Sequence, residues 1–381
     1  MAAKVAAEKY QGTRYLVFTF YALEAGNERI FFVILNIEGC KIMKKYILVL
    51  SVISSLAVVM MHTNSTFWFF SYEPYWVIAN LIECLCYFAV PVFFMISGAN
   101  LIEYRKKYDT KIYFKKRVIK TVLPYLIWSG IGCAYQIYLG NLTRESFSIR
   151  SIINALLNSD YVSVYWFFMP LFGAYLCIAA LGMIPENARK NIFKYLIVSS
   201  FLFNILFPFV CGLIGISYNW NATVASMGGY LFFILAGYYI DHYPIRRKVR
   251  IVIYLSGLVG LLMHFLGTWY LSVQDGTINQ TYKGYLTLPC VLYSTAIFLL
   301  FKNRNTGKAV DFLYRKLSYI ASTTFGVYLL HWFILDIEQR HIVLDRTLWY
   351  CRVGEGIVIF IVAALLIKVL QKIPIVRKIV P

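Results

Sequence analysis

Among the ionisable side chains inside apolar runs of this chain, three have types that suit proton transfer. His62 closes the run Ile47–Met61, Glu83 lies in a second run over 77–101, and His331 lies in a run over 319–337. An ionisable group at membrane depth is costly, so its default reading is functional. An imidazole, with a reference pKa of ~6.5, exchanges protons near neutral pH. A carboxylate can orient an imidazole or carry protons itself, which is the expectation for Glu83. The bland alternative for the histidines is a hydrogen bond between helices. His331 has Tyr328 one turn before it, with Asp336 and Glu338 following. His264 has no polar company in its run and reads as packing, whereas His242 and His341 read as solvated loop residues.

The elements that must position these groups are set by composition. Of 381 residues, 60% are apolar and 14% charged, and the mean hydropathy is +0.64. That balance excludes a soluble domain and predicts an all-α membrane protein. Ten apolar stretches suit a hydrocarbon core of ~30 Å: 46–66, 77–101, 121–140, 164–184, 195–216, 225–241, 251–272, 286–301, 319–337 and 354–370. The net charge of +19 is a topology signal and needs no nucleic acid. One alternate set of connections carries 27 of the 37 Lys and Arg, the other carries 6, and four lie upstream of residue 41. The positive-inside rule then predicts cytoplasmic N- and C-termini in a multi-pass protein of the cell membrane. The densest connection holds Arg105, Lys106, Lys107, Lys111, Lys115, Lys116, Arg117 and Lys120.

Residues 1–42 do not match the rest. Their apolar patches are short and broken by Glu24, Glu28, Arg29 and Glu38, and they suit neither a signal peptide nor a span. Met43-Lys-Lys before an apolar run looks like an ordinary start, so the segment reads as an extension from an over-extended gene start. The membrane domain is expected over 43–381. Eight cysteines include no Cys-x-x-Cys pair, which predicts neither a disulfide framework nor a metal site. Prolines 91, 124, 170, 208 and 289 are expected to kink or end spans. Gly237, Gly257 and Gly260 read as close helix contacts. Sequons at Asn64, Asn141, Asn221 and Asn279 are best taken as chance.

Four ordered strings resemble the acyltransferase-3 family of integral membrane acyltransferases. They are Ala57-Val-Val-Met-Met-His62-Thr63; Val90-Pro-Val-Phe-Phe-Met-Ile-Ser-Gly98 with the basic run Tyr113-Phe-Lys-Lys-Arg117-Val-Ile-Lys120-Thr-Val-Leu-Pro124; Tyr165-Trp166-Phe-Phe-Met; and Thr323-Thr-Phe-Gly-Val-Tyr328-Leu-Leu-His331. The resemblance covers about residues 43–370 and is nearest to short polysaccharide O-acetyltransferases. It implies transfer of an acetyl or other short acyl group from acyl-CoA to a hydroxyl of a cell-envelope glycan or its lipid-linked precursor. His62 would then be the general base, with Glu83 and His331 completing the catalytic cluster. Arg117 and Lys120 would hold the acetyl-CoA phosphates, and Trp166 and Tyr328 would meet the acceptor. The chain departs from the family where an arginine usually lies eleven residues before the histidine, because Ser51 stands there. The basic pair is Arg117 and Lys120 instead of two arginines, which loses one planar fork.

The chemistry is consistent with that assignment. Attack of a hydroxyl on a thioester needs a base for the departing proton, and imidazole suits the task. At ~1.5 Å of rise per residue, His62 lies roughly 25 Å along a helix from Lys45. A thioester arm carried by a cytoplasmic nucleotide therefore needs a cavity between helices to reach it. Arg117 and Lys120, three apart, are expected on one helix face, where they could bind phosphate by charge-assisted bonds. The second reading is a proton-coupled transporter or polysaccharide exporter, with Glu83, His62 and His331 as a relay. A third is a catalytically silent relative, motivated by Ser51.

Overall fold

The computed structural model describes residues 3–10, 13–24, 27–36, 44–142, 147–218, 229–304, 308–374 and 376–380. The chain divides into two units, Met1–Lys44 and Lys45–Pro381. In the first, β1 (Ala3–Tyr10), β2 (Thr13–Glu24) and β3 (Asn27–Asn36) form an antiparallel sheet in chain order, with Ala3 opposite Phe20 and Tyr15 opposite Asn36. No element was expected there, although β2 and β3 are rich in the β-branched and aromatic residues that strands favour. The expected start at Met43 lies outside the described residues.

The second unit is all-α, as its composition predicts. Its helices are α1 (Lys45–Thr63), α2 (Pro74–Cys86), α3 (Ala89–Leu101), α4 (Thr110–Arg117), α5 (Leu123–Tyr138), α6 (Ile149–Asn158), α7 (Phe168–Leu181), α8 (Glu186–Phe201), α9 (Phe207–Leu213), α10 (Leu231–His242), α11 (Arg247–Asp275), α12 (Leu288–Asn303), α13 (Lys308–Leu317), α14 (Thr324–His341) and α15 (Trp349–Leu370). Among the described residues, seven helices are long and apolar enough to cross a membrane once α2 is joined to α3, α4 to α5, α8 to α9 and α7 to the turn from Ser163 before it. The pair α13 and α14, bent by 62°, makes an eighth. The other two expected segments are helical but short, with 12 residues in α10 and 16 in α12. For the first of these, residues 219–228 lie outside the described residues. The ten expected segments thus correspond to ten helical segments, seven of them of spanning length, or eight if the bent pair is one span.

Two of the proline kinks take a defined form. Val118–Val122 and Leu202–Leu206 are π-helical turns, placed just before Pro124 and Pro208. Proline offers no N–H and crowds the carbonyl four residues back. The turn widens, and Leu123 N and Phe207 N reach back five residues to the carbonyls of Val118 and Leu202.

Helix α1 sits at the centre, against α15, α14, α3, α13, α2 and α12. Its Val52 and Val59 pack with Val327 and Leu335 of α14 and with Ile359, Phe360, Ala363 and Ala364 of α15. Helices α3 and α10 meet backbone to backbone, since a Cβ on Gly98 would fall 1.9 Å from the Ile234 carbonyl oxygen and one on Gly237 would fall 2.1 Å from that of Met95. Gly257 and Gly260 of α11 approach Ala296 and Pro289 of α12 in the same way, as expected.

The connections that carry most of the cations come together. Lys45 pairs with Asp311 at 2.7 Å, Lys106 with Glu186 at 3.0 Å, and His242 with Glu103 at 3.4 Å. His242 also stacks on Tyr238 with centroids 3.9 Å apart. It is half-buried at the end of α10, not a solvated loop residue, because the neighbouring carboxylates recruit it.

Candidate active site

The end of α1 that carries His62 is fixed from three sides. The Thr63 hydroxyl donates to the Arg352 carbonyl of α15 at 3.1 Å, and the Asn64 side chain donates to the Ala79 carbonyl of α2 at 2.8 Å. Asn64 is fully buried, so a glycan on that sequon is sterically excluded. The third support is His331 on α14, whose ring lies 5.2 Å from that of His62 at an angle of 35°. Helices α1 and α14 run side by side, with Ser55 bonded to the Thr324 carbonyl seven residues before each histidine.

His331 is fully buried. Its Nδ1 lies 2.8 Å from the Tyr328 carbonyl and 3.1 Å from that of Val327. Two carbonyl acceptors require the proton on Nδ1, which leaves Nε2 as a bare acceptor, and Nε2 is buried without a hydrogen-bond partner. The imidazole therefore presents a lone pair, not a donor.

His62 lines a cavity of about 440 Å³. Glu83, Trp166 and Tyr328 line the same cavity, together with Ser51, Val58, Trp68, Tyr87, Tyr285 and Thr324. Ser51 and His62 are eleven residues apart on one helix, so the cavity extends over roughly 16 Å of membrane depth. Four of the expected site residues are thus brought to one space, and His331 adjoins it through His62. The Tyr328 hydroxyl is already spent, donating to the Val164 carbonyl. That bond and Tyr165 Oη to the Leu329 carbonyl, 2.6 Å, tie the turn Ser163–Phe167 that carries Trp166 to α14.

Glu83 does not bond His62. Its Oε1 accepts from Lys283 Nζ at 2.8 Å, both side chains being almost fully buried, and its Oε2 has no partner. Lys283 in turn sits 3.8 Å from the Tyr87 ring centroid and 4.9 Å from those of Phe67 and Trp68. Such contacts favour a desolvated ammonium. Lys283, Tyr87 and Tyr285 were not singled out from sequence. A lone lysine in a connection otherwise poor in cations was the available signal for Lys283. His264 is buried edge-on to Tyr87 at 5.0 Å, which agrees with its packing role.

Arg117 and Lys120 do not line this cavity. The Arg117 guanidinium lies 5.7 and 5.5 Å from the rings of Tyr113 and Tyr175, and its Nε is buried without a partner. Lys120 is exposed. The π-helical turn begins between them, at Val118, so the α-helical spacing behind the expected shared face does not run through this stretch. Among the described residues no group of three or more His, Cys, Asp or Glu is placed to hold a metal ion.

The cavity with its two imidazoles can accept a proton from a bound hydroxyl and hold an apolar chain beside it. No curated protein and no solved structure matches the chain. The sequence model of the acyltransferase-3 family, described as an acyltransferase domain, matches residues 45–367. That span covers nearly all of the helical unit and every residue of the candidate site, and the chain belongs to the acyltransferase-3 family.

Proposed function

We propose that this membrane acyltransferase moves an acetyl or other short acyl group from acyl-CoA to a hydroxyl of a cell-envelope glycan or its lipid-linked precursor. The observation that carries the reading is the pair of imidazoles 5.2 Å apart at a cavity deep enough to admit a thioester arm. The acceptor oxygen attacks the thioester carbonyl while His62 takes its proton. The carbon–sulfur bond then breaks, and the thiolate leaves and takes up a proton to give the free thiol. His331, with its bare Nε2, holds the base in orientation or receives the proton from it.

The donor's phosphates stay outside the cavity in this reading, since no Lys or Arg lines it among the described residues. Arg117 and Lys120 are their proposed partners, on the cytoplasmic side by the charge asymmetry of the connections. The protein is proposed to sit in the cell membrane with both termini in the cytoplasm. The test is transfer of labelled acetyl from acetyl-CoA into envelope glycans by membranes carrying the wild-type chain. Incorporation supports the reading, and none with any host's glycans contradicts it.

Ser51 favours a second reading, a catalytically silent relative. It stands in the cavity wall where the family usually has an arginine, and its hydroxyl is bonded to the Ile47 carbonyl at 2.8 Å. On the silent reading, Ser51→Arg restores donor binding to a protein that otherwise lacks it. On the enzyme reading, the wild type already binds acetyl-CoA and turns over.

A further inference from the structure

Helices α8 and α11 flank an open apolar groove of about 270 Å³. Ile197, Val198 and Phe201 of α8 line one side and Ile253 of α11 the other. The deeper wall is Phe232 of α10 and Val291 of α12, both buried. The groove shares no lining residue with the cavity of His62.

On both sides the groove begins about one turn below a cation. On α8, Lys194 lies three and four residues before Ile197 and Val198 and seven before Phe201, so it shares their face, and Lys190 stands one turn further back. On α11, Arg250 lies three residues before Ile253, and its N–H bonds to the Arg246 carbonyl at 3.0 Å, which sets Arg246 one turn above it. The two basic ends adjoin, because Lys190 Nζ stands 5.9 Å from the ring of Tyr243, three residues before Arg246. Lys45 and Lys106 have acidic partners, but among the described residues none of these four cations has a carboxylate within 4.0 Å.

The length of α11 fixes the depth of this cluster. Its exposed Trp269 and Tyr270 lie 19 and 20 residues beyond Arg250, roughly 29 and 30 Å along the helix. That matches a hydrocarbon core of ~30 Å, with the aromatic pair at one membrane interface and Arg250 at the other. The cations therefore stand at headgroup level and the groove at the level of the acyl chains.

We infer that this is a binding site for an anionic phospholipid, with its phosphate among Lys190, Lys194, Arg246 and Arg250 and one acyl chain in the groove. Basic clusters at the ends of membrane helices attract anionic headgroups by about fivefold in affinity per cation. A zwitterionic lipid brings its own ammonium to the same cluster and gains less. The bound lipid ties α8 to α11, whose main contacts are otherwise to α10 and α12.

The test is native mass spectrometry of the full chain in detergent, titrated with phosphatidylglycerol and with phosphatidylcholine of the same acyl chains. The wild type is expected to bind phosphatidylglycerol more tightly by about tenfold or more, and Lys194→Gln and Arg250→Gln are each expected to lower that preference about fivefold. Ile253→Trp, which fills the groove, is expected to weaken binding of both lipids and leave the preference. The variant Lys111→Gln/Lys115→Gln removes two cations from the densest basic connection and is expected to bind as the wild type does. Equal binding of the two lipids by the wild type, undiminished binding by Ile253→Trp, or an equal loss in Lys111→Gln/Lys115→Gln would overturn the inference. So would displacement of the lipid by excess coenzyme A, which would mark a site for a nucleotide's phosphate instead.

Discussion

Helices α1 and α11 have nearly the same mean hydropathy, 2.0 and 1.9 over their best windows, yet 67% of the first window is buried in the protein and only 17% of the second. Lipid tails are as apolar as a protein core, so hydropathy sends a helix into the membrane without saying where it will stand. The small and polar residues decide. On α11 they form one stripe, Gly257, Gly260, His264, Thr268 and Ser272, and those five are its buried positions. Around α1 the buried positions occur on every side, from Tyr46 to Thr63, and the helix ends in the catalytic candidate.

The contrast predicts graded costs. Glu83→Ala, beside α1, should be the most destabilising, by about 3–5 kcal/mol, because Lys283 is left as a buried charge without a partner. A thermal scan in detergent should show the loss and should show it largely recovered when Lys283→Met is added. Ile47→Ala, fully buried on α1, should cost about 2–5 kcal/mol as a cavity-forming change. Gly260→Leu, on the buried stripe of α11, places a Cβ 2.6 Å from the Pro289 carbonyl oxygen and should cost about 1–3 kcal/mol through overpacking. Leu258→Ala, two residues away and 55% exposed, should change the midpoint least, by about 0.5 kcal/mol or less. If Leu258→Ala were as damaging as Ile47→Ala, α11 would not face lipid.

Much of this was legible in the sequence because membrane helices announce themselves by length and polarity. The expected segments are helical over most of their described residues, and His62, Glu83, Trp166 and Tyr328 meet at one cavity that His331 adjoins. What sequence could not supply were the partners brought by tertiary structure. Glu83 was expected to orient His62 or to carry protons, and a lysine from a distant connection holds it. Tyr285 and Tyr87 were two among 31 tyrosines, and only their stacking distinguishes them. The spacing of Arg117 and Lys120 implied one helix face, whereas the π-helical turn before Pro124 redirects the chain between them. The sheet of residues 3–36 was missed because attention to span length passes over strands.

The two ends of the cavity differ as α1 and α11 do. Near Ser51 and Thr324 the wall carries hydroxyls and no charge, and near His62 it carries that imidazole, with His331 behind it, the carboxylate and the stacked rings. An acyl chain suits the first end and the reaction the second. Labelled acetyl transfer from acetyl-CoA, compared between wild-type membranes and membranes holding equal amounts of His62→Ala, tests this most directly. The account predicts a loss of about 10²- to 10⁴-fold, the range for removing a general base; transfer at the wild-type rate in His62→Ala would contradict it.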